Sequence, residues 1–252
     1  MKKVFAAVGA MLFAAIASFS QEKPGTLAAL EFQTPKNGMV KQYEDGRKQK
    51  AEWHKQQKDS QPLMVWEIMS GDHTGTYVVG RLGLRWADLD KPSVPEQADL
   101  DEFNKVIGGY VQSVVTRFYE FLPKLSKPPD SAGPTKFAEI ITFRVRPGKG
   151  GDFRSAMARA TEAIEKTKWP VRYEWYALAN GGDTGTFVLV LPHANWADFE
   201  DKPDMKPFPE MLREAFGPAE AESITKRFDS SVESETSEII RFRADLSYQP
   251  SK

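Results

Sequence analysis

The chain has 252 residues, 40% apolar and 27% charged, with 34 basic against 35 acidic side chains. That composition supplies a sizeable core and by length allows one or two domains; a net charge of −1 offers neither a basic stripe for nucleic acid nor an acidic block for a disordered tail. The chain has no cysteine, which excludes disulfides, thiolate catalysis and cysteine-based metal sites.

Residues 1–20 read as a secretory signal peptide. Lys2 and Lys3 form the positive n-region, residues 4–19 are an uncharged apolar run, and Ala17, Ser18 and Ser20 are small residues beside a cleavage point. The run is shorter than the roughly 20 residues that span a bilayer. A cleaved leader is therefore expected rather than an anchor. It would leave Gln21 as the mature N-terminus of a periplasmic or secreted protein with no membrane association.

Beyond a short tether, 26–34 alternates as a strand and Pro35 to Gly38 has turn chemistry. Residues 40–59 form a helix rich in Lys, Gln and Glu. A hairpin follows: strand 62–70, a turn from Gly71 to Gly75, and strand 76–84. Trp86-Ala-Asp88 starts a short helical turn, 99–110 is a second helix and 113–126 a fourth strand. Residues 127–135 carry three prolines and a glycine and read as a linker between units 26–126 and 136–250.

The order then starts again. Residues 136–146 are a strand, 147–151 a turn, and Asp152 a candidate N-cap for a helix to 168. Strands 171–179 and 184–191 form the second hairpin. A helical region interrupted at Pro207 and Gly217 runs to 231, and 233–247 is the last strand. Between 71–89 and 181–199, at a constant offset of 110, eight of 19 positions are identical, including Gly-x-x-Thr-Gly-Thr and Trp-Ala-Asp. The last strands match at an offset of 121, through Phe121, Leu125 and Ser126 against Phe242, Leu246 and Ser247. Each half is thus β-α-β-β-α-β, the ferredoxin-like unit. On the third strand Thr76, Val78, Gly80 and Leu82 share one face, and Tyr77, Val79 and Arg81 the other. In the second copy Thr186, Val188 and Val190 oppose Phe187, Leu189 and Leu191. Both faces are largely apolar, so the sheet needs helices on one side and a second sheet on the other.

The two repeats, the Pro147-Gly148 turn and the Gly-x-x-Thr-Gly-Thr hairpin resemble the dimeric α/β-barrel superfamily, over about residues 26–250. The superfamily includes antibiotic-biosynthesis-monooxygenase-like and NIPSNAP-like domains. The resemblance implies an α+β fold in which two tandem ferredoxin-like repeats pack sheet to sheet as an intramolecular dimeric α/β barrel, one chain supplying both halves as a monomer. The superfamily hosts unrelated functions, so the resemblance implies no single reaction. Its haem-degrading members use a helix histidine as ligand. His54 lies on a helix, but the first one and outside any family motif, so no cofactor is expected. Its cofactor-free oxygenases rely on pocket Asn, Trp and Tyr; Trp66 and Tyr176 occupy matching strand positions, without an Asn on the first strand.

Four places could carry chemistry. Trp86-Ala-Asp88 and Trp196-Ala-Asp198 occur in both copies, which favours a structural corner: Trp anchoring the hairpin exit to the core and Asp capping the next helix. Asp72 and His73 sit in a turn and read as solvated. The first helix differs between copies: Phe153, Ala156, Met157, Ala160 and Ile164 form an apolar stripe, where the first copy has Tyr43, Gly46, Arg47, Lys50 and His54. Either that helix rotates to bury Val40, Ala51 and Trp53, or Arg47 and His54 face the sheet in a polar pocket. Fourth, matching Leu30 and Phe32 to Ile141 and Phe143 turns these four toward the helices. It places Glu31, Gln33, Thr142 and Arg144 between the sheets. With Glu120, Arg241 and Arg243 they would form an ion-pair network, an anion site, or paired charges at solvated edges.

No GxSxG, HExxH, Walker or GxGxxG context is present, and histidines scattered at 54, 73 and 193 argue against a metal site. Three readings follow. The first is an exported protein binding a small anionic or aromatic ligand through some of Arg47, His54, Trp66, Arg81, Glu120, Arg144, Arg241 and Arg243. The second is a cofactor-free monooxygenase-like enzyme with its pocket near Trp66, His54 and Arg81. The third is a partner-binding module without a pocket.

Overall fold

The computed structural model describes residues 25–130, 133–200, 202 and 204–250. The leader expected over 1–20 lies outside them. The first half runs β1 (Leu27–Pro35), α1 (Val40–Gln56), β2 (Met64–Ile68), β3 (Tyr77–Leu84), α2 (Glu96–Val106) and β4 (Val111–Phe121). The second runs β5 (Phe137–Val145), α3 (Gly150–Thr167), β6 (Glu174–Asn180), β7 (Thr186–His193), α4 (Phe208–Phe216), α5 (Pro218–Ser231) and β8 (Val232–Phe242). The strands are rich in Val, Ile, Phe, Tyr and Thr, residues that suit a pleated surface.

All eight strands close into one antiparallel barrel in the order β1-β3-β2-β8-β5-β7-β6-β4. The two four-stranded sheets are joined at two seams. In one, β2 pairs with β8, setting Trp66 opposite Phe242. In the other, β4 pairs with β6, setting Phe121 opposite Tyr176. The halves therefore face each other as walls of a single hydrogen-bonded barrel, and closure covers the sheet edges at both seams.

The repeated hairpin explains itself at these seams. Gly71 has φ +86° and Gly181 φ +92°, a region that favours glycine. A Cβ on Gly71 would lie 2.9 Å from Cγ of Glu238 on β8, and one on Gly181 would lie 2.4 Å from the carbonyl oxygen of Thr116 on β4. Each half's hairpin turn thus presses onto the last strand of the other half.

Two apolar cores lie outside the barrel, between strands and helices. One packs Phe153 and Met157 of α3, with Met211 and Leu212 of α4, on Phe143 and Trp175. The other, smaller core packs Tyr43 of α1 and Ile107 on Val65, Tyr77 and Val79. A third cluster, around Ala28, Tyr119 and Val188, lies inside the barrel.

Several boundaries differ from the sequence reading. Helix α1 stops at Gln56, before Asp59, and α2 begins at Glu96 behind Pro95. Strand β4 ends at Phe121 because Pro123 opens a 3-10 turn, and β8 ends at Phe242. Strand β6 begins at Glu174 rather than 171. Helix α3 starts at Gly150 with Lys149 in the cap position, so Asp152 sits in the first turn, 2.9 Å from Lys149 Nζ, and caps nothing. Trp86 and Trp196 are 48% and 53% exposed. They lie over Phe118 and Phe137 and do not anchor the core. Asp88 and Asp198 accept from the backbone N–H of Arg85 and Ala194, holding their own 3-10 turns rather than the next helix.

Candidate functional site

Strand parity decides which side chains meet, because neighbours on a strand point to opposite faces. Ala28, Leu30, Phe32 and Thr34 of β1 point into the barrel, as do Ala138, Ile140 and Thr142 of β5. The strands therefore correspond at an offset of 110, matching Leu30 to Ile140. Aligning Leu30 with Ile141 slips the register by one residue and inverts the face. Leu30 and Phe32 line the interior instead of facing the helices. Gln33 is buried under α1, where the Tyr43 hydroxyl donates to its Oε1 at 2.9 Å and its own amide donates to Glu31 Oε2 at 2.6 Å.

The charges expected between the sheets are displaced by the same parity. On β4 and β8 the inward positions are Ser113, Val115, Arg117 and Tyr119, with Thr236, Glu238 and Ile240. Glu120, Arg241 and Arg243 alternate with these and point outward. Glu120 is exposed. Arg241 donates to Glu67 Oε2 at 2.6 Å. Arg243 reaches Glu44, Glu67 Oε2 at 3.0 Å and Asp245 Oδ2 at 2.9 Å, a network on the outer surface. Arg144, at a barrel end, pairs with Asp183 and, at 3.0 Å, with Glu233. These residues form no inter-sheet anion site.

The barrel interior holds a cavity of about 610 Å³ that opens to solvent, with Val115 of its lining 44% exposed. Its walls are more apolar than polar, with Trp66 from β2 and Tyr176 from β6 at matching positions, and Thr34, Thr76, Ser113, Thr142 and Thr236 add hydroxyls. The Tyr176 hydroxyl donates to Glu174 Oε2 at 2.7 Å. Burial first, and the Glu174 carboxylate second, push the Tyr176 phenol far above its ordinary range. Glu238 Oε1 lies 2.6 Å from Nδ1 of His73, so the turn histidine, though exposed, reaches into the cavity wall. The Arg117 guanidinium lies over the Phe32 ring at 4.9 Å, and its Nε is buried without a hydrogen-bond partner. Burial raises the Tyr119 pKa, and the neighbouring Arg117 opposes the rise. Arg117, Glu174 and Glu238 were missed by the sequence reading; the inward parity of Tyr176 would have located Glu174, two residues away on the same strand.

A second polar cluster lies outside the barrel, under α1. Tyr43, Gly46, Arg47, Lys50 and His54 are its buried face, whereas Val40 is 47% exposed. The helix has not rotated. Gly46 allows the approach, since a Cβ there would lie 2.1 Å from the Val106 carbonyl oxygen. Asp59 Oδ2 lies 2.9 Å from His54 Nδ1 and 2.8 Å from Arg81 Nη2. Asp59 Oδ1 accepts from Ser93 and, at 3.0 Å, from the Gln61 N–H. Asp99 Oδ1 lies 3.3 Å from His54 Nε2 and 3.0 Å from Lys50 Nζ. Burial works to raise the Asp59 pKa, but the hydrogen bonds from Ser93, Gln61 and Arg81 outweigh it and hold it low. Burial pushes His54 down to about 4, against the pull of Asp99 and Asp59. Arg47 is 2% exposed and its Nε has no partner.

The proposed grouping of Trp66 with His54 and Arg81 is not formed. Trp66 points into the barrel, whereas Arg81 points outward to Asp59 and His54 packs against Tyr248 on the helix side. His54, the helix histidine, is not placed to ligate a haem: it is 1% exposed with a carboxylate against each ring nitrogen. No group of three or more His, Asp or Glu among the described residues could hold a metal ion.

No protein-family model matches the chain, and no curated protein matches it in sequence. Solved structures do match in shape. A provisionally assigned monooxygenase from Lactobacillus acidophilus aligns at TM-score 0.53 and 9% identity, over 89% of this chain and 96% of that one. An anthrone oxidase-like protein aligns at 0.52 and 12%, over 92% and 95%. A mutant chlorite dismutase from Candidatus Nitrospira defluvii aligns at 0.52 and 10%, over 89% and 96%. At this identity the likeness is one of fold: the ferredoxin-like α/β barrel described above.

Proposed function

We propose that this chain binds a small, largely apolar, aromatic molecule inside its barrel. The cavity of about 610 Å³ carries the reading. It falls in the size range of small-molecule sites and has their make-up, an apolar wall with a few placed polar groups. Phe32, Trp66, Tyr119 and Tyr176 offer ring faces, and aromatic rings favour offset or edge contacts with one another. The leader pattern of residues 1–20 supports export, and closure of the barrel within one chain supports a monomer. The test is fluorescence titration with N-phenyl-1-naphthylamine, a neutral probe. Saturable binding is expected in the mature protein and its loss in Ala138→Trp, which fills the cavity; a melting curve checks that the variant is folded. A wild-type protein that leaves the probe dark would sink the proposal. The first mature residue is expected to be Gln21 by N-terminal sequencing.

A second reading, a cofactor-free monooxygenase-like enzyme, is supported by the Glu174–Tyr176 hydrogen bond inside the cavity. The Glu174 carboxylate is placed to take a proton from an acidic aromatic substrate; dioxygen then oxidises the resulting carbanion, one oxygen entering as the new carbonyl and the other leaving as water. Oxygen uptake with anthrone that is lost in Glu174→Gln would select this reading over simple binding.

A further inference from the structure

We infer that the barrel ligand carries a carboxylate and that Arg117 holds it; the inference rests on the barrel being the binding site. The three charged groups of the wall are not equivalent. Glu174 accepts from Tyr176, and Glu238 is paired with His73. Arg117 forms no ion pair among the described residues, and its buried Nε is left without a hydrogen bond. Nε has no accessible surface, so a ligand meets the terminal nitrogens, and a cation in this wall without a carboxylate partner gains a charge-assisted hydrogen bond from one that a ligand brings.

The guanidinium is also pre-positioned. It lies over the Phe32 ring at 4.9 Å and beside the Tyr119 hydroxyl. The Gly181-Gly182 turn packs beside the Arg117 side chain, since a Cβ on Gly181 would lie 3.3 Å from its Cγ and one on Gly182 3.7 Å from its Nε. A planar fork held on one face by a ring suits the two oxygens of a carboxylate. The pseudo-symmetry of the barrel adds direction. Arg117 lies opposite Leu30 on β1, and Glu238 opposite Ile140 on β5, equivalent places in the two halves. The cavity is therefore positive at one such place and acidic at the other. An aromatic acid fits in one orientation, with its carboxylate at Arg117 and its rings among Phe32, Trp66 and Val188.

Calorimetry with 2-naphthoate and 2-naphthamide, which differ in charge but little in shape, tests this. Wild-type protein is expected to bind the acid about tenfold or more tighter than the amide, the scale of one charged hydrogen-bonded contact. Arg117→Gln should remove that preference by weakening the acid alone. Arg117→Lys, which keeps the charge and loses the fork, should fall between. Equal affinity for acid and amide in the wild type overturns the inference, as does an unchanged ratio in folded Arg117→Gln. Binding of the neutral fluorophore without any preference for the acid removes this inference alone. Failure of all three ligands removes the barrel reading with it.

Discussion

The burial of His54 should destabilise this protein as the pH falls into mild acid. The ring is 1% exposed, and both nitrogens lie within ion-pair range of a carboxylate, yet neither makes an aligned hydrogen bond. Those carboxylates are already engaged, Asp59 by Arg81, Ser93 and the Gln61 N–H, and Asp99 by Lys50. With Arg47, Lys50 and Arg81 nearby, a proton on His54 would add a fourth cation to a region holding two anions. Burial therefore dominates and the folded pKa falls from the ordinary 6.5 to about 4. The sign follows. Below pH 6.5 the unfolded chain takes up a proton that the folded chain refuses, so stability present above 6.5 is lost as pH falls toward 4. One proton gives a slope of up to about 1.4 kcal/mol per pH unit, or roughly 0.5 M in urea midpoint per unit. Urea titrations at half-unit steps from pH 7 to 4.5 measure it. His54→Gln should flatten the slope. His193, also lowered mainly by burial, contributes a smaller part that His193→Gln isolates. A wild-type midpoint that stays level or rises between pH 6.5 and 4.5 would refute the reasoning, because it would mean that the fold holds His54 charged.

Arg47→Met should stabilise the protein by about 1–3 kcal/mol in urea unfolding, since it removes a buried, unpartnered charge and installs the residue found at the equivalent Met157. Asp59→Asn should cost about 3–5 kcal/mol by the same assay, because Arg81 then loses its buried partner. Gly181→Ala should destabilise by more than about 1 kcal/mol and loosen the β4–β6 seam, read as faster amide exchange in Leu122, whose N–H donates to the Trp175 carbonyl across it, given its φ of +92° and the 2.4 Å approach to Thr116. Trp196→Ser should move the melting temperature little, since that ring is 53% exposed.

The architecture was legible because it rests on patterns that survive local error. Two copies of a hairpin at one offset announce two equivalent sheets, and both apolar faces of β3 and β7 require a wall on each side. The site was less legible because it depends on parity, and parity fails at a one-residue slip. Matching Leu30 to Ile141 instead of Ile140 was enough to send Glu31 and Gln33 into the barrel and Leu30 out of it. The outward arginines at the end of β8 and just beyond it looked convergent for a related reason. Arg241 and Arg243 share a face, but that face meets Glu44 and Glu67 on the outer surface. The polar stripe of α1 was visible as a stripe. Its partners were not, because Asp59, Ser93, Asp99 and Tyr248 reach it from loops and a helix start far apart in sequence.

The comparison between halves carries the functional argument one step further. Where the copies agree, at Gly71 and Gly181, at Trp66 and Tyr176, at Val78 and Val188, they build the barrel and its aromatic wall. Where they disagree in charge on the inner face, Glu174 stands against Met64 and Arg117 against Glu238, and only the second pair sets opposite charges at equivalent places. A homodimeric barrel with a symmetric ligand would need the same residue at both places. A single chain is free of that constraint, and here the two places carry opposite charges around one cavity. Reversing them tests whether that asymmetry reads the ligand. The double variant Arg117→Glu with Glu238→Arg should still fold and still bind 2-naphthoate, now with its carboxylate at position 238. Restoring the acid preference lost in Arg117→Gln would show that the wall selects by charge at either place. If the double variant melts like the wild type and shows no such preference, the surroundings of Arg117, its Phe32 ring and the bare Gly181-Gly182 turn, supply the selectivity along with the charge.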